Sequence, residues 1–143
     1  MSVLDTIRVK VEGSPSNSAQ NAVPLLHEIR HALDHLAATG ESTTIDLSSL
    51  PFGPDDKEQL LNVLGRGEVE ATVDAMGPTH IRETAFPGVW LVEHQNPDAL
   101  TSAQYIEITR CPTLLATPEA DVADAAAALA ERLSEAGRDP DEQ

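Results

Sequence analysis

The chain has 143 residues, 41 % of them hydrophobic, which is enough for one folded core and unlike a disordered segment. Nine Lys and Arg stand against 24 Asp and Glu, a formal net charge of −15 that repels nucleic-acid phosphates and anionic lipid heads. One cysteine, Cys111, excludes an internal disulfide framework and a multi-thiolate zinc site.

Ile7, Val9 and Val11 alternate with Arg8 and Lys10, the pattern of a short strand, and residues 13–17 (GSPSN) break it. Leu25, Leu26, Ile29, Ala32, Leu33 and Leu36 then recur at helical spacing. With Asn21 as N-cap, Pro24 in the first turn and Gly40 at the C-terminal end, a helix over 22–39 follows. Residues 43–47 (TTIDL) read as a strand. Pro51, Gly53 and Pro54 form a loop, and Asp55 and Asp56 favour the start of a helix carrying Leu60, Leu61, Val63 and Leu64.

Val69, Ala71, Val73 and Ala75 alternate with Glu68, Glu70, Thr72 and Asp74, a half-buried strand with one wet face. Returning strands are expected over 80–85, 89–94 and 105–110, joined by short Gly- and Pro-containing turns. Thr117-Pro118-Glu119 opens a last helix with an apolar stripe of Val122, Ala126, Leu129 and Leu133, and Gly137 stops it before an acidic tail. That stripe suits covering the core or mediating homo-oligomerisation.

The expected architecture is α+β: a mainly antiparallel meander packed against two or three helices. It divides into an N-terminal strand and linker (1–20), an α+β core (21–116) and an Ala-rich helix with its tail (117–143). No stretch approaches the roughly 20 apolar residues of a membrane span. The N-terminus lacks the apolar run of a signal peptide, so the expected address is the cytoplasm.

His27-Glu28-Ile29-Arg30-His31 fits the H-E-x-x-H pattern, in which two histidines four apart bind zinc and the glutamate activates its water. On a helical wheel His27 and His31 lie opposite the Leu25, Ile29, Leu33 and Leu36 face. His35 stands about 12 Å along the axis from His27 and cannot complete a site. A third ligand would have to come from His80, His94 or a carboxylate. The preferred reading is a solvated or partner-covered helix face, with a zinc hydrolase using His27, Glu28 and His31 as the alternative. Cys111 is read as structural, and Asp46 as stabilising a turn. Residues 82–90 (RETAFPGVW) place Phe86 and Trp90 beside a tight turn, either as core plugs or as exposed binding anchors.

Four segments together carry a resemblance: LLHEIRHAL (25–33), TTIDLSSLP (43–51), GEVEATVD (67–74) and IRETAFPGVWLV (81–92). In this order they resemble the HupH/HyaF family of hydrogenase expression and formation proteins, in particular its C-terminal domain. The resemblance spans roughly residues 21–113. It implies a non-catalytic, chaperone-like assembly factor for an uptake [NiFe]-hydrogenase. Such a factor uses no cofactor and binds a hydrogenase precursor subunit or another maturation protein. A passive structural module of a larger complex is a further alternative. The expected contact surface comprises His27, Arg30 and His31 on the helix, and Arg82, Glu83, Phe86, Pro87 and Trp90 at the turn.

Overall fold

The computed structural model describes residues 21–138 apart from 75 and 99. The expected strand at Ile7–Val11, its linker and the acidic tail beyond 138 lie outside the described residues. Helix α1 (Ala22–Thr39) is followed by strand β1 (Thr43–Asp46), a 3-10 turn (Leu47–Ser49) and helix α2 (Pro54–Leu64). Strands β2 (Glu70–Asp74), β3 (Pro78–Glu83), β4 (Val89–Gln95) and β5 (Thr101–Ile108) come next, then a 3-10 turn (Thr113–Leu115) and helix α3 (Glu119–Ala136). The chain divides into two compact units after Pro112.

The first unit holds a five-stranded antiparallel sheet in the order β1-β5-β4-β3-β2. The meander expected from the short turns is therefore present, and β1 closes its far edge by pairing with β5. Register places Ile45 opposite Ile106, and Leu91 opposite Ile106 from the other side. Alternation then puts Ile45, Val89, Leu91, Ile106 and Ile108 on one face. There they share a buried core with Ala22, Leu25, Ile29 and Ala32 of α1 and Leu60 and Leu64 of α2. The opposite face carries Ile81, Trp90 and Val92, also buried.

Several element limits differ from the sequence reading, each for a local reason. β1 stops at Asp46, because its carboxylate accepts the Ser48 N–H at 2.8 Å and turns Leu47 into the 3-10 segment. This is the turn-stabilising role expected for Asp46. β2 starts two residues late, at Glu70, leaving Val69 exposed, and Ala75 lies outside the described residues. β3 begins at Pro78, and β5 at Thr101, four residues earlier than expected. Pairing with β2 and β4 extends β3, and pairing with β4 extends β5, beyond their apolar stretches. The cap of α3 is Pro118, one residue later than the expected Thr117.

Asn21 occupies the N-cap position of α1 without making a side-chain cap bond. Its amide donates instead to Pro51 O at 2.8 Å and to the Asp56 carboxylate at 3.3 Å. Asp56 is 1 % exposed, and it also accepts the N–H of Gly53 at 3.1 Å and of Asn21 at 3.4 Å. One carboxylate thus caps α2 and ties its start to the start of α1. Hydrogen bonds to a buried charge contribute about 1.5–3 kcal/mol. Asp56→Ala should therefore destabilise the first unit by about that amount, read from the urea midpoint at unchanged slope. A loss below about 0.5 kcal/mol would mean that water takes over the three donors.

Candidate functional site

The expected contact residues fall into two separate places. His27, Glu28, Arg30 and His31 lie on the outer side of α1, all exposed, opposite the Leu25, Ile29 and Ala32 face that enters the core. Among the described residues, no group of three His, Cys, Asp or Glu side chains is gathered closely enough to hold a metal ion. The two histidines that would have to approach stand on the sheet. His80 is within 3.2 Å of the Thr72 hydroxyl, and His94 within 2.7 Å of the Thr79 hydroxyl. His35 turns to Glu41 at 2.7 Å, away from the His27–His31 pair.

The second place is the connection between β3 and β4, residues 84–88. Thr84 organises it. Its N–H donates to Val89 O at 2.9 Å, and its hydroxyl accepts the Phe86 N–H at 3.2 Å. Val89 N–H returns to Phe86 O at 3.0 Å. Gly88 N–H donates to the Glu83 carboxylate at 3.3 Å, and Gly88 O accepts the Thr109 N–H at 2.8 Å. Gly88 has φ +96°, and the nearest atoms beyond its missing side chain are Leu33 Cδ2 and Leu36 Cδ2 of α1. A left-handed backbone in close approach to a helix is a position that only glycine occupies without strain.

The loop after α2 braces the turn from another side. Ala85 N–H donates to Leu64 O at 2.8 Å, the Arg82 guanidinium to Gly65 O at 3.1 Å, and Gly67 N–H to Glu83 O at 2.8 Å. Arg82 and Glu83 therefore have structural partners within the turn and its support. What the turn presents outward is Phe86, 45 % exposed, and Pro87.

Trp90 takes the core alternative. It is 6 % exposed, and its indole N–H donates to Thr109 O at 3.0 Å. The expectation of an exposed Trp90 anchor is corrected on that ground. Strand alternation turns residue 90 to the opposite face from Leu91, and that face is buried at this point. Of the two aromatics beside the turn, only Phe86 reaches solvent.

Tyr105 lies next on the Trp90 face, opposite Val92. Burial, and then the negative charge of Glu107, push its hydroxyl above the usual phenol range. The folded chain thus holds this proton more tightly than the unfolded chain. The contribution is complete below pH 10 and is lost as pH rises through the folded value.

Sequence reasoning passed over Thr84, Gly67 and the burial of Asp56. Only Asp56 had a readable signal, its position three residues after Gly53 and Pro-led helix entry, which is capping-box spacing. Nothing local marks Thr84 as the residue that locks the turn. Cys111 is exposed, and its thiol points to Pro112 O at 3.7 Å.

A family profile described as "HupH hydrogenase expression protein, C-terminal conserved region" matches residues 19–136. The chain is 33 % identical over 113 residues to a protein of Azotobacter vinelandii named hydrogenase expression/formation protein HoxQ, covering 78 % of this chain and 40 % of the relative. It is 31 % identical over 115 residues to hydrogenase expression/formation protein HupQ of Azotobacter chroococcum mcd 1, covering 80 % and 40 %. The chain thus spans about two fifths of the length of the curated relatives it matches. Among solved structures, it resembles the hydrogenase expression protein HupH from Thiobacillus denitrificans ATCC 25259. That likeness has a TM-score of 0.77 and 49 % identity, over 80 % of this chain and 96 % of that one.

Proposed function

The chain belongs to the HupH hydrogenase expression protein family, over that family's C-terminal conserved region, and from this premise we propose that it assists [NiFe]-hydrogenase maturation by binding a protein client. Its relatives are named hydrogenase expression/formation proteins, and the solved structure it resembles a hydrogenase expression protein, which supports a part in maturation. The mode of action we infer is non-catalytic. The chain holds an unprocessed hydrogenase subunit, or another maturation protein, in the cytoplasm and leaves before the enzyme is complete.

The observation that carries this reading is the turn at 84–88. An exposed Phe and Pro stand at the tip of a connection fixed by hydrogen bonds from β3, β4, β5 and the α2 loop. A rigid apolar anchor loses little entropy on binding, and a few such anchors carry most of an interface's energy. Arg30, exposed on the outer side of α1, is a second contact in this reading, apart from the turn. The chain's net charge of −15 favours encounter with basic segments of a client.

The test is an affinity pull-down of the tagged chain from cells synthesising hydrogenase, with bound proteins identified by mass spectrometry. The expected result is recovery of an unprocessed subunit and absence of the tagged chain from mature enzyme. Phe86→Ala should weaken capture about tenfold while leaving the thermal unfolding midpoint within about 2 °C, and Arg30→Ala should weaken it a few-fold. Equal capture by Phe86→Ala would remove the turn from the interface. Constant stoichiometry in the mature enzyme would make the chain a structural subunit instead.

A further inference from the structure

The sheet has a second buried face. Ile81 and Val92 are fully shielded and Trp90 is 6 % exposed. None of the three joins the core that α1 and α2 share with Ile45, Val89, Leu91, Ile106 and Ile108. Register sets Ile81 opposite Val92, and Val92 opposite Tyr105, on the side away from both helices. An antiparallel sheet with helices on one side commonly leaves its other side to water. Complete shielding of an Ile and a Val on β3 and β4 therefore requires atoms laid over them. Thr109 O meets the Trp90 indole at one end of the face, but Ile81 and Val92 lie further along the strands.

The first compact unit runs from Met1 to Pro112, so it includes the chain before α1. In that stretch residues 3–11 (VLDTIRVKV) carry five aliphatic side chains and two cations, Arg8 and Lys10. The second face suits such a segment in charge as well as in apolarity. Glu83 and Glu107 flank Trp90 from the neighbouring strands. The strands hold one Lys or Arg, which is Arg82. Its register opposite Leu91 puts it on the helix side, where it donates to Gly65 O. Glu107 is only 7 % exposed, and a carboxylate so buried is stable when a cation or several donors lie against it. Arg8 and Lys10 bring positive charge on stems long enough to run along the sheet surface.

The chain also reaches. Asn21 is fixed beside Pro51 and Asp56 at the start of α1. From Val11 to Asn21 the chain can extend up to about 33 Å. Packed layers stand about 10 Å apart, so that length passes from the helix layer round the sheet edge to the opposite face. The family profile begins at residue 19, so such a cover lies outside the region that the profile describes.

We propose that residues 3–11 lie across the sheet face opposite α1 and α2, with their aliphatic side chains on Ile81 and Val92 and their cations beside Glu107. The segment closes this face to a client. The inference stands independently of the maturation reading.

Trp90 is the single tryptophan and reports on this face directly. In the full chain, Ile7→Asp combined with Val9→Asp should raise acrylamide quenching of its fluorescence about twofold and shift its emission to longer wavelength, with circular dichroism unchanged, as local opening requires. Leu129→Asp on α3 should change neither reading. Unaltered quenching in the double variant would overturn the proposal. Opening by Leu129→Asp alone would also overturn it, and would assign the cover to the second unit. Should the double variant lose its circular dichroism, cross-linking decides. In a Cys111→Ser background, a short bismaleimide should join Val9→Cys to Val73→Cys within one chain, since Val73 is half-buried on the same face of β2. It should not join Val9→Cys to Glu28→Cys on the outer side of α1. Any other cross-linking pattern would overturn the placement.

Discussion

Trp90→Ala is expected to destabilise the first unit by about 3–5 kcal/mol, the range for removing a large buried aromatic side chain. The residue is 6 % exposed on β4, on the sheet face it shares with Ile81 and Val92. Truncation removes its packing and also leaves Thr109 O without the indole donor at 3.0 Å. A domain of this size is stable by about 5–15 kcal/mol, so the loss takes away about a fifth or more of that margin. Trp90→Phe separates the two contributions. It keeps most of the ring volume and loses the hydrogen bond, and should cost about 1–3 kcal/mol. Urea denaturation followed by far-ultraviolet circular dichroism measures both. A cost below about 1 kcal/mol for Trp90→Ala would show that the ring is not packed as described. The consequence for function is direct. Weakened client capture by Trp90→Ala would report unfolding, which is why Phe86, exposed on the same connection, is the residue that tests the interface.

Gly67→Ala should cost about 3 kcal/mol or more, at the upper end for inserting a methyl group where there is no room. A Cβ at residue 67 would stand 2.4 Å from Thr84 O and 3.0 Å from Glu83 O. Neither carbonyl can swing away freely. Glu83 O already accepts the Gly67 N–H, while the flanking Thr84 and Ala85 N–H groups are held by Val89 O and Leu64 O. Relief therefore requires the α2 loop and the 84–88 turn to separate. Gly40→Ala provides the comparison. Gly40 has φ +81° but nothing within 4 Å of the added Cβ, so only the backbone conformation is penalised, by about 1–2 kcal/mol. Thermal and urea unfolding of the two variants side by side measure the difference. Equal losses at the two sites would mean that the loop at 65–67 moves aside at little cost. If the turn is the client anchor, the surviving folded fraction of Gly67→Ala should also bind more weakly, since the turn loses its brace.

The placement of elements was legible because it rests on local periodicity. Leu25, Ile29 and Ala32 fall on one side of any helix drawn through them, so α1 and the outward direction of His27, Arg30 and His31 follow from spacing, and its limits from Asn21, Pro24 and Gly40. The strand alternation and the Gly- and Pro-containing turns likewise determined an antiparallel meander. Four family-like segments in one order pointed to hydrogenase expression proteins, and the family match over 19–136 agrees. Tertiary structure alone decided which exposed and which buried positions those elements hold. Alternation states that Trp90 and Leu91 point to opposite sides of β4, but not that both sides are buried there. It cannot separate Phe86 from Trp90 as anchor and plug. The burial of Asp56 and the closeness of Gly67 to Thr84 arise between segments about 17 to 35 residues apart. No sequence period reports such contacts, because steric exclusion and hydrogen-bond satisfaction act through space and not along the chain.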